Sequence, residues 1–156
     1  MPTNAKNRKV ARAALASLLS NALTGAGGLV NGVYGYDFGG WQQEAPVVLV
    51  ASAGTLRRRR IKTGVSYTIY TNGFRFAVLV LVPDAHTGNN WTEEMVEDRL
   101  DDIEAAIANV VGDNIRTANW DNLEFVEEFS DVSRVVKEGL PYKQEVFMLL
   151  ADPVTD

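Results

Sequence analysis

Two segments of the chain carry apolar residues at the spacing of an amphipathic helix. In residues 5–23 the apolar positions lie three or four residues apart and glycines follow the segment: Ala11, Leu15, Leu18, Ala22, then Gly25, Gly27 and Gly28. Residues 93–111 repeat the pattern with Val96, Leu100, Ile103, Ile107 and Val110. Thr92 stands where an N-cap is expected and Gly112 where a helix commonly ends. The sequence therefore predicts an N-terminal helix and one central amphipathic helix.

The other apolar segments are typical of β-strands. They cover residues 47–50, 56–63, 66–71, 74–82, 123–129 and 143–151. Asn72-Gly73 predicts a β-hairpin, because a type I′ turn needs positive φ at both positions. Residues 74–82 are apolar on both faces, which is typical of a central strand that is covered on both sides. A polar loop with Gly139 and Pro141 is expected before the last strand.

The order of these elements predicts an α+β fold. We expect an antiparallel or mixed β-sheet, made of a meander plus C-terminal strands, packed by the N-terminal helix and the central amphipathic helix. A chain of 156 residues fits a single domain, residues 1–156, with flexible ends at 1–4 and 153–156. In the less regular segment 33–45 the aromatic side chains are expected to cover the edge of the core, with anchoring of a partner as the alternative: Tyr34, Tyr36, Phe38 and Trp41.

Side chains that commonly carry catalysis are scarce. The chain has no cysteine and a single histidine, His86, in a polar loop over residues 84–90. We therefore expect no enzymatic activity, no catalytic residues, no cofactor and no metal site. No apolar run approaches the roughly 20 residues needed to cross a bilayer, so no membrane partner is expected.

Charge is distributed unevenly along the chain. Residues 1–62 hold nine basic and two acidic side chains, a net charge of +7, whereas residues 63–156 hold six basic and eighteen acidic ones, a net charge of −12. The basic half contains Arg57, Arg58, Arg59 and Arg60 in succession. The acidic half contains a row on the central helix: Glu93, Glu94, Glu97, Asp98, Asp101 and Asp102. Strand alternation would send the four arginines to both faces, so at least one pair must meet solvent, phosphates or carboxylates, of which protein carboxylates are favoured.

The order and spacing of several segments resemble those of a known protein family. They are the N-terminal helix, the strand 45–50, a meander ending in 76–82, the helix with Asp98, Leu100, Ile103 and Ile107, the approach Asn119–Leu123, and Gly139–Tyr142 leading into Gln144–Leu150. In order and spacing, over about residues 5–152, this layout resembles the tail terminator proteins of long-tailed bacteriophages. The arginines at 57–60 match no pattern of that family.

The resemblance implies a structural virion protein in the tail or neck, assembled in the host cytoplasm. It implies a homo-oligomeric ring, commonly a hexamer, at the head-proximal end of the tail, which ends tube growth and meets the head connector. The implied partners are other copies of the chain, the tail tube protein and a head connector or stopper protein, with possible DNA passage through the lumen.

The charge pattern adds a hypothesis about the subunit interface. We expect part of the Arg57–Arg60 segment to contact the Glu93–Asp102 row of an adjacent copy, because a closed ring joins two different patches of each subunit. Three alternatives stay open. The chain could be another neck or head-completion protein, a tail tube subunit, or a nucleic-acid-binding module that uses basic residues 6–12 and 57–62.

Overall fold

The computed structural model describes residues 7–37, 39–41, 44–61, 68–84, 91–126 and 130–154, with the backbone alone for 58–61 and 68–71. Its elements in chain order are α1 (Arg8–Leu23), β1 (Gly32–Tyr34), β2 (Val47–Ile61), β3 (Thr68–Pro83), α2 (Glu93–Asp113), β4 (Asn122–Phe125), β5 (Asp131–Lys137) and β6 (Leu140–Asp152). The predicted flexible ends lie outside the described residues, except for 153 and 154.

The six strands form one mixed sheet. Its order is β1-β2-β3-β6-β4, and β5 pairs with the same side of β6 as β4, nearer to the start of β6. The β1–β2 pair is parallel, whereas the other pairs are antiparallel. The predicted α+β fold with a mixed sheet and two helices is therefore confirmed.

Both helices begin where the sequence provides an N-cap. The Asn7 side chain accepts a hydrogen bond from the Lys9 amide at 2.8 Å, and the Thr92 hydroxyl accepts one from the Met95 amide at 3.1 Å. These bonds satisfy amides that the first helical turn leaves without a partner. The end of α2 lies two residues past the predicted one, with Gly112 inside the last turn.

Both helices pack on one face of the sheet. The apolar stripe of α2 lies in the main core, as predicted, together with Leu15 and Leu19 of α1 and alternate residues of the central strands. The opposite face carries a smaller cluster in which Trp41 meets the Tyr142 ring edge-on at 4.8 Å. There Leu81 is buried, but Leu79 is only partly covered, so the prediction of a strand covered on both faces holds over part of β3.

The predicted hairpin at Asn72-Gly73 is wrong. These residues lie inside β3, opposite Arg57 and Leu56 of β2, and neither has positive φ. A Cβ on Gly73 would lie 2.7 Å from Leu150 Cδ1, so glycine here permits close approach to the next strand. The four short strands expected before residue 83 are consequently two long ones, β2 and β3.

A two-residue turn is found instead in the expected polar loop. Glu138 and Gly139 have φ of 50° and 78°, and they join the paired residues Lys137 and Leu140. This turn creates β5, a strand that the sequence pattern did not predict, because its residues alternate poorly and most of them are exposed.

Candidate assembly surfaces

β2 and β3 continue past the rest of the sheet as a two-stranded arm, residues 56–61 and 68–73. Pairing of β3 with β6 begins at Phe74, and β1 pairs only with Val47–Leu49 of β2. The arm comprises six residue pairs, from Leu56–Gly73 to Ile61–Thr68. At about 3.4 Å per residue it extends about 20 Å. All four arginines of the 57–60 segment lie on it, and the side chain of Arg57 is exposed.

The N-terminal helix adds two more arginines at the base of the arm. Arg8 Nη1 donates to Thr55 Oγ1 at 3.0 Å, and Arg12 Nη1 donates to Ser52 Oγ at 2.8 Å. A β-bulge between Ser52 and Thr55 makes this possible. Its extra residue keeps both hydroxyls on the face toward α1, although they are three positions apart. Two basic clusters that are distant in sequence therefore meet at one end of the fold.

The predicted acidic row lies on the outer side of α2, and all of its members are exposed: Glu93, Glu94, Glu97, Asp98, Asp101 and Asp102. Arg99 is the one base between residues 93 and 104. It donates to the Leu29 carbonyl at 2.9 Å and lies 5.0 Å from the centre of the Trp91 ring. Arg99 thus ties α2 to neighbouring segments, and the outer flank keeps a strongly negative charge.

A cleft of about 360 Å³ separates the first turns of α2 from β5 and β6. It is lined by Asp84, Glu93, Glu94, Val96, Glu97, Arg134 and Lys143. Lys143 Nζ contacts the carboxylate of Glu97. Arg134 Nε lies 2.6 Å from Asp84 Oδ2, and Asp84 is buried whereas the Arg134 side chain is 65% exposed. Part of the acidic charge is therefore already balanced within one subunit.

The arm and the cleft lie at opposite ends of β3. Arg57 is paired with Asn72, whereas Asp84 follows the last residue of β3, Pro83. Asn72 and Pro83 are eleven positions apart along the extended strand, which corresponds to about 36 Å. The structure does not bring the arginines of the arm to Glu93 or Glu97 within one copy. A contact between these groups requires a second copy.

Glu145 is a buried carboxyl that the sequence reasoning missed. It is 6% exposed on the helix-bearing face of β6, and its side chain accepts a hydrogen bond from the Ser130 hydroxyl. Burial raises the pKa of Glu145, the Ser130 hydrogen bond opposes this, and the negative charges of Glu104 and Asp101 add to the rise. A recognisable signal existed, since strand alternation puts Glu145 on the same face of β6 as the apolar residues Phe147 and Leu149.

The structure contributes little to the search for catalytic or metal chemistry. The single histidine, His86, lies outside the described residues. Within the described ranges, no three histidine or carboxylate side chains form a group that could hold a metal ion. Likewise, no helix in that part of the chain is both long and apolar enough to span a bilayer.

Comparison with known proteins adds no assignment. No protein-family model matches the chain, and no curated protein matches it.

Proposed function

We propose that this chain is a structural virion protein that forms a ring at the head-proximal end of a phage tail, ends tube growth there and provides the interface to the head connector. One observation carries the proposal. The basic arm lies at one end of the long strand β3. The acidic surface of α2, formed in its first turns by Glu93, Glu94 and Glu97, lies at the other end. The layout of the chain, which resembles the tail terminator family, supplies the specific assignment within virion proteins.

The placement of charge favours head-to-tail association. Because the two patches of one subunit cannot contact each other, the basic patch can bind one neighbouring copy and the acidic patch another. Such a heterologous contact generates a ring when the rotation between copies closes. Opposite charge also speeds correct encounter and disfavours wrong orientations. The proposed partners are other copies in a ring, commonly a hexamer, with the tail tube protein on one side and a head connector or stopper protein on the other.

Native mass spectrometry of the purified chain tests self-assembly. We expect a discrete closed oligomer at low salt that loses subunits as ionic strength rises, because the Debye length falls from about 10 Å at 0.1 M to about 3 Å at 1 M. The variant Arg57→Glu should weaken the oligomer. Arg116→Glu is the matched control, since Arg116 follows the C-terminal end of α2, is 80% exposed and makes a long ion pair of 3.9 Å with Asp121. A wild-type chain that remains monomeric at high concentration would refute the proposal.

Electron microscopy of a phage that lacks this gene separates the roles within the virion. Overlong or headless tails would support the terminator role. Heads that leak DNA would favour a head-completion protein instead, and absence of tail tubes would favour a tube subunit.

A nucleic-acid-binding role is the second candidate, and the convergence of Arg8 and Arg12 with Arg57 favours it. This role uses the basic residues 6–12 and 57–62, which lie partly outside the described residues. It predicts that the logarithm of the DNA association constant falls linearly with the logarithm of salt concentration, with a slope that grows by about 0.9 for each phosphate contact. Measured DNA affinity without such a slope would exclude it.

A further inference from the structure

We propose that the outer edge of β5 receives the arm of a second copy, so that the sheet of one subunit continues into the next. This inference rests on the proposed self-assembly and names the contact through which it occurs.

β5 is an edge strand. It pairs with β6 through seven residues, and no strand in the described part of the chain pairs with its other side. Six of its seven residues are exposed, and the seventh, Val135, is partly covered. Backbone N–H and C=O groups along such an edge are a template for strand addition, in which main-chain hydrogen bonds join the two chains.

The face of this edge that carries α2 exposes apolar side chains on both sides of Arg134, whose guanidinium pairs with Asp84. Val132 is paired with Glu145 and Val136 with Pro141, and Phe125 of β4 continues the row opposite Leu149. Val132 is 47% exposed, Val136 is 65% exposed and Phe125 is 40% exposed. Isolated exposed apolar residues are ordinary, but a row along an open strand edge is typical of an interaction site.

The acidic surface of α2 borders that row. Lys143 of β6 contacts Glu97 of α2, and Lys143 is paired with Arg134 of β5. The cleft of about 360 Å³ lies between α2 and β5 and is lined by four carboxylates and two bases. An incoming strand at this edge would therefore lie beside Val132 and Val136, with the Arg134–Asp84 ion pair and the remaining carboxylates of the cleft on the same face. This environment fits a strand that is both basic and apolar.

The arm has that composition. Its β2 half reads Leu-Arg-Arg-Arg-Arg-Ile over residues 56–61, and in the described residues this half pairs only with β3. Its six residues are one fewer than the seven of β5, so the strand can pair along nearly the whole edge. Because successive residues of a strand project to opposite faces, any register brings two of the four arginines to the face that carries α2. Each copy therefore has an arm that can pair with the next copy and an open β5 edge that can receive the arm of another.

Lysine substitution on β5 tests the contact. We expect Val132→Lys/Val136→Lys to weaken self-association at least tenfold in native mass spectrometry and analytical ultracentrifugation, since edge lysines oppose strand addition and repel the arginines. Ile115→Lys/Tyr36→Lys is the matched control, because Ile115 and Tyr36 are 49% and 62% exposed and lie outside both β5 and α2. Urea midpoints of the dilute monomers should remain similar. Assembly of the β5 variant with wild-type affinity would overturn the inference.

Cysteine cross-linking provides an independent readout, because the chain contains no cysteine. Leu56→Cys should be combined in turn with single cysteines at positions 132, 133, 134 and 135. Within one copy three strand spacings, about 14 Å, separate β2 from β5, which exceeds the roughly 7 Å limit between Cα atoms for a disulfide. We expect at least one combination to form a ladder of covalent oligomers, whereas Leu56→Cys/Ala118→Cys should not.

The two proposals fail differently. A wild-type ring with no cross-link and no effect of the β5 lysines would overturn the edge-strand contact and leave the ring intact. A chain that remains monomeric would overturn both.

Discussion

Neutralising one acid on the outer flank of α2 should change stability and assembly in opposite directions. Asp98 has three like-charged neighbours at helical contact spacing: Glu94 at i−4, Asp101 at i+3 and Asp102 at i+4. Each such pair destabilises a helix by about 0.2–0.5 kcal/mol. Asp98→Asn removes all three repulsions, so we expect the free energy of unfolding of the monomer to rise by about 1 kcal/mol at low salt.

Competing effects of this substitution are small. Asp98 is the sixth residue of α2, beyond the first turn in which an acid interacts favourably with the helix dipole. Asparagine and aspartate have similar helix propensities. The gain should therefore appear almost fully in urea unfolding of the dilute protein, as a midpoint shift of about 0.5 M. It should shrink at 1 M salt, where the Debye length is about 3 Å.

The same substitution should weaken assembly. If Asp98 faces a basic partner, its loss removes a contact worth about 0.4–1 kcal/mol, which raises the dissociation constant about twofold to fivefold. Glu124→Gln makes the same change in net charge at an exposed position of β4 and is the matched control. An unchanged or lower urea midpoint for Asp98→Asn would refute the repulsion argument. A stabilised monomer that assembles like wild type would show that this flank faces solvent.

Three further substitutions test the structure beneath these surfaces, each by urea unfolding. Ile103→Ala, in a fully buried position of α2, should cost about 2–5 kcal/mol, and a smaller loss would indicate that α2 packs loosely. Trp120→Phe removes the indole N–H that donates to the Asn114 carbonyl at 2.7 Å and should cost about 1–3 kcal/mol. Glu145→Gln should stabilise the protein at pH 8, because the neutral amide avoids burial of a charged carboxylate. Because the pKa of Glu145 is raised in the folded state, that state binds more protons than the unfolded one between the two pKa values, and wild-type stability falls as pH rises through that window. A gain that is as large at pH 4 would contradict this reasoning.

Apolar periodicity identified the two helices because a helix that packs on a sheet needs one apolar stripe. Val96, Leu100 and Ile103 satisfy that requirement locally, and the N-caps at Asn7 and Thr92 are equally local. The acidic row was visible for the same reason, since positions between the apolar ones must lie on the outer side of the helix.

Strand boundaries were less predictable because pairing depends on residues far away in sequence. Asn72-Gly73 has the composition of a hairpin turn, yet Gly73 lies in a strand where it allows Leu150 to approach. Glu138-Gly139, a less typical turn sequence, forms the turn because β5 and β6 pair on both sides of it.

The amino-acid sequence alone determined the presence of two amphipathic helices, several apolar strands and a separation of positive from negative charge, because each depends on spacing and composition along the chain. Only the tertiary structure decided where those charges lie. Pairing of β2 with β3 places the arginines on a projecting arm, and packing of α2 on the sheet places the acids of its first turns beside β5. Distances between such groups are set by strand register and helix packing, which local sequence does not specify.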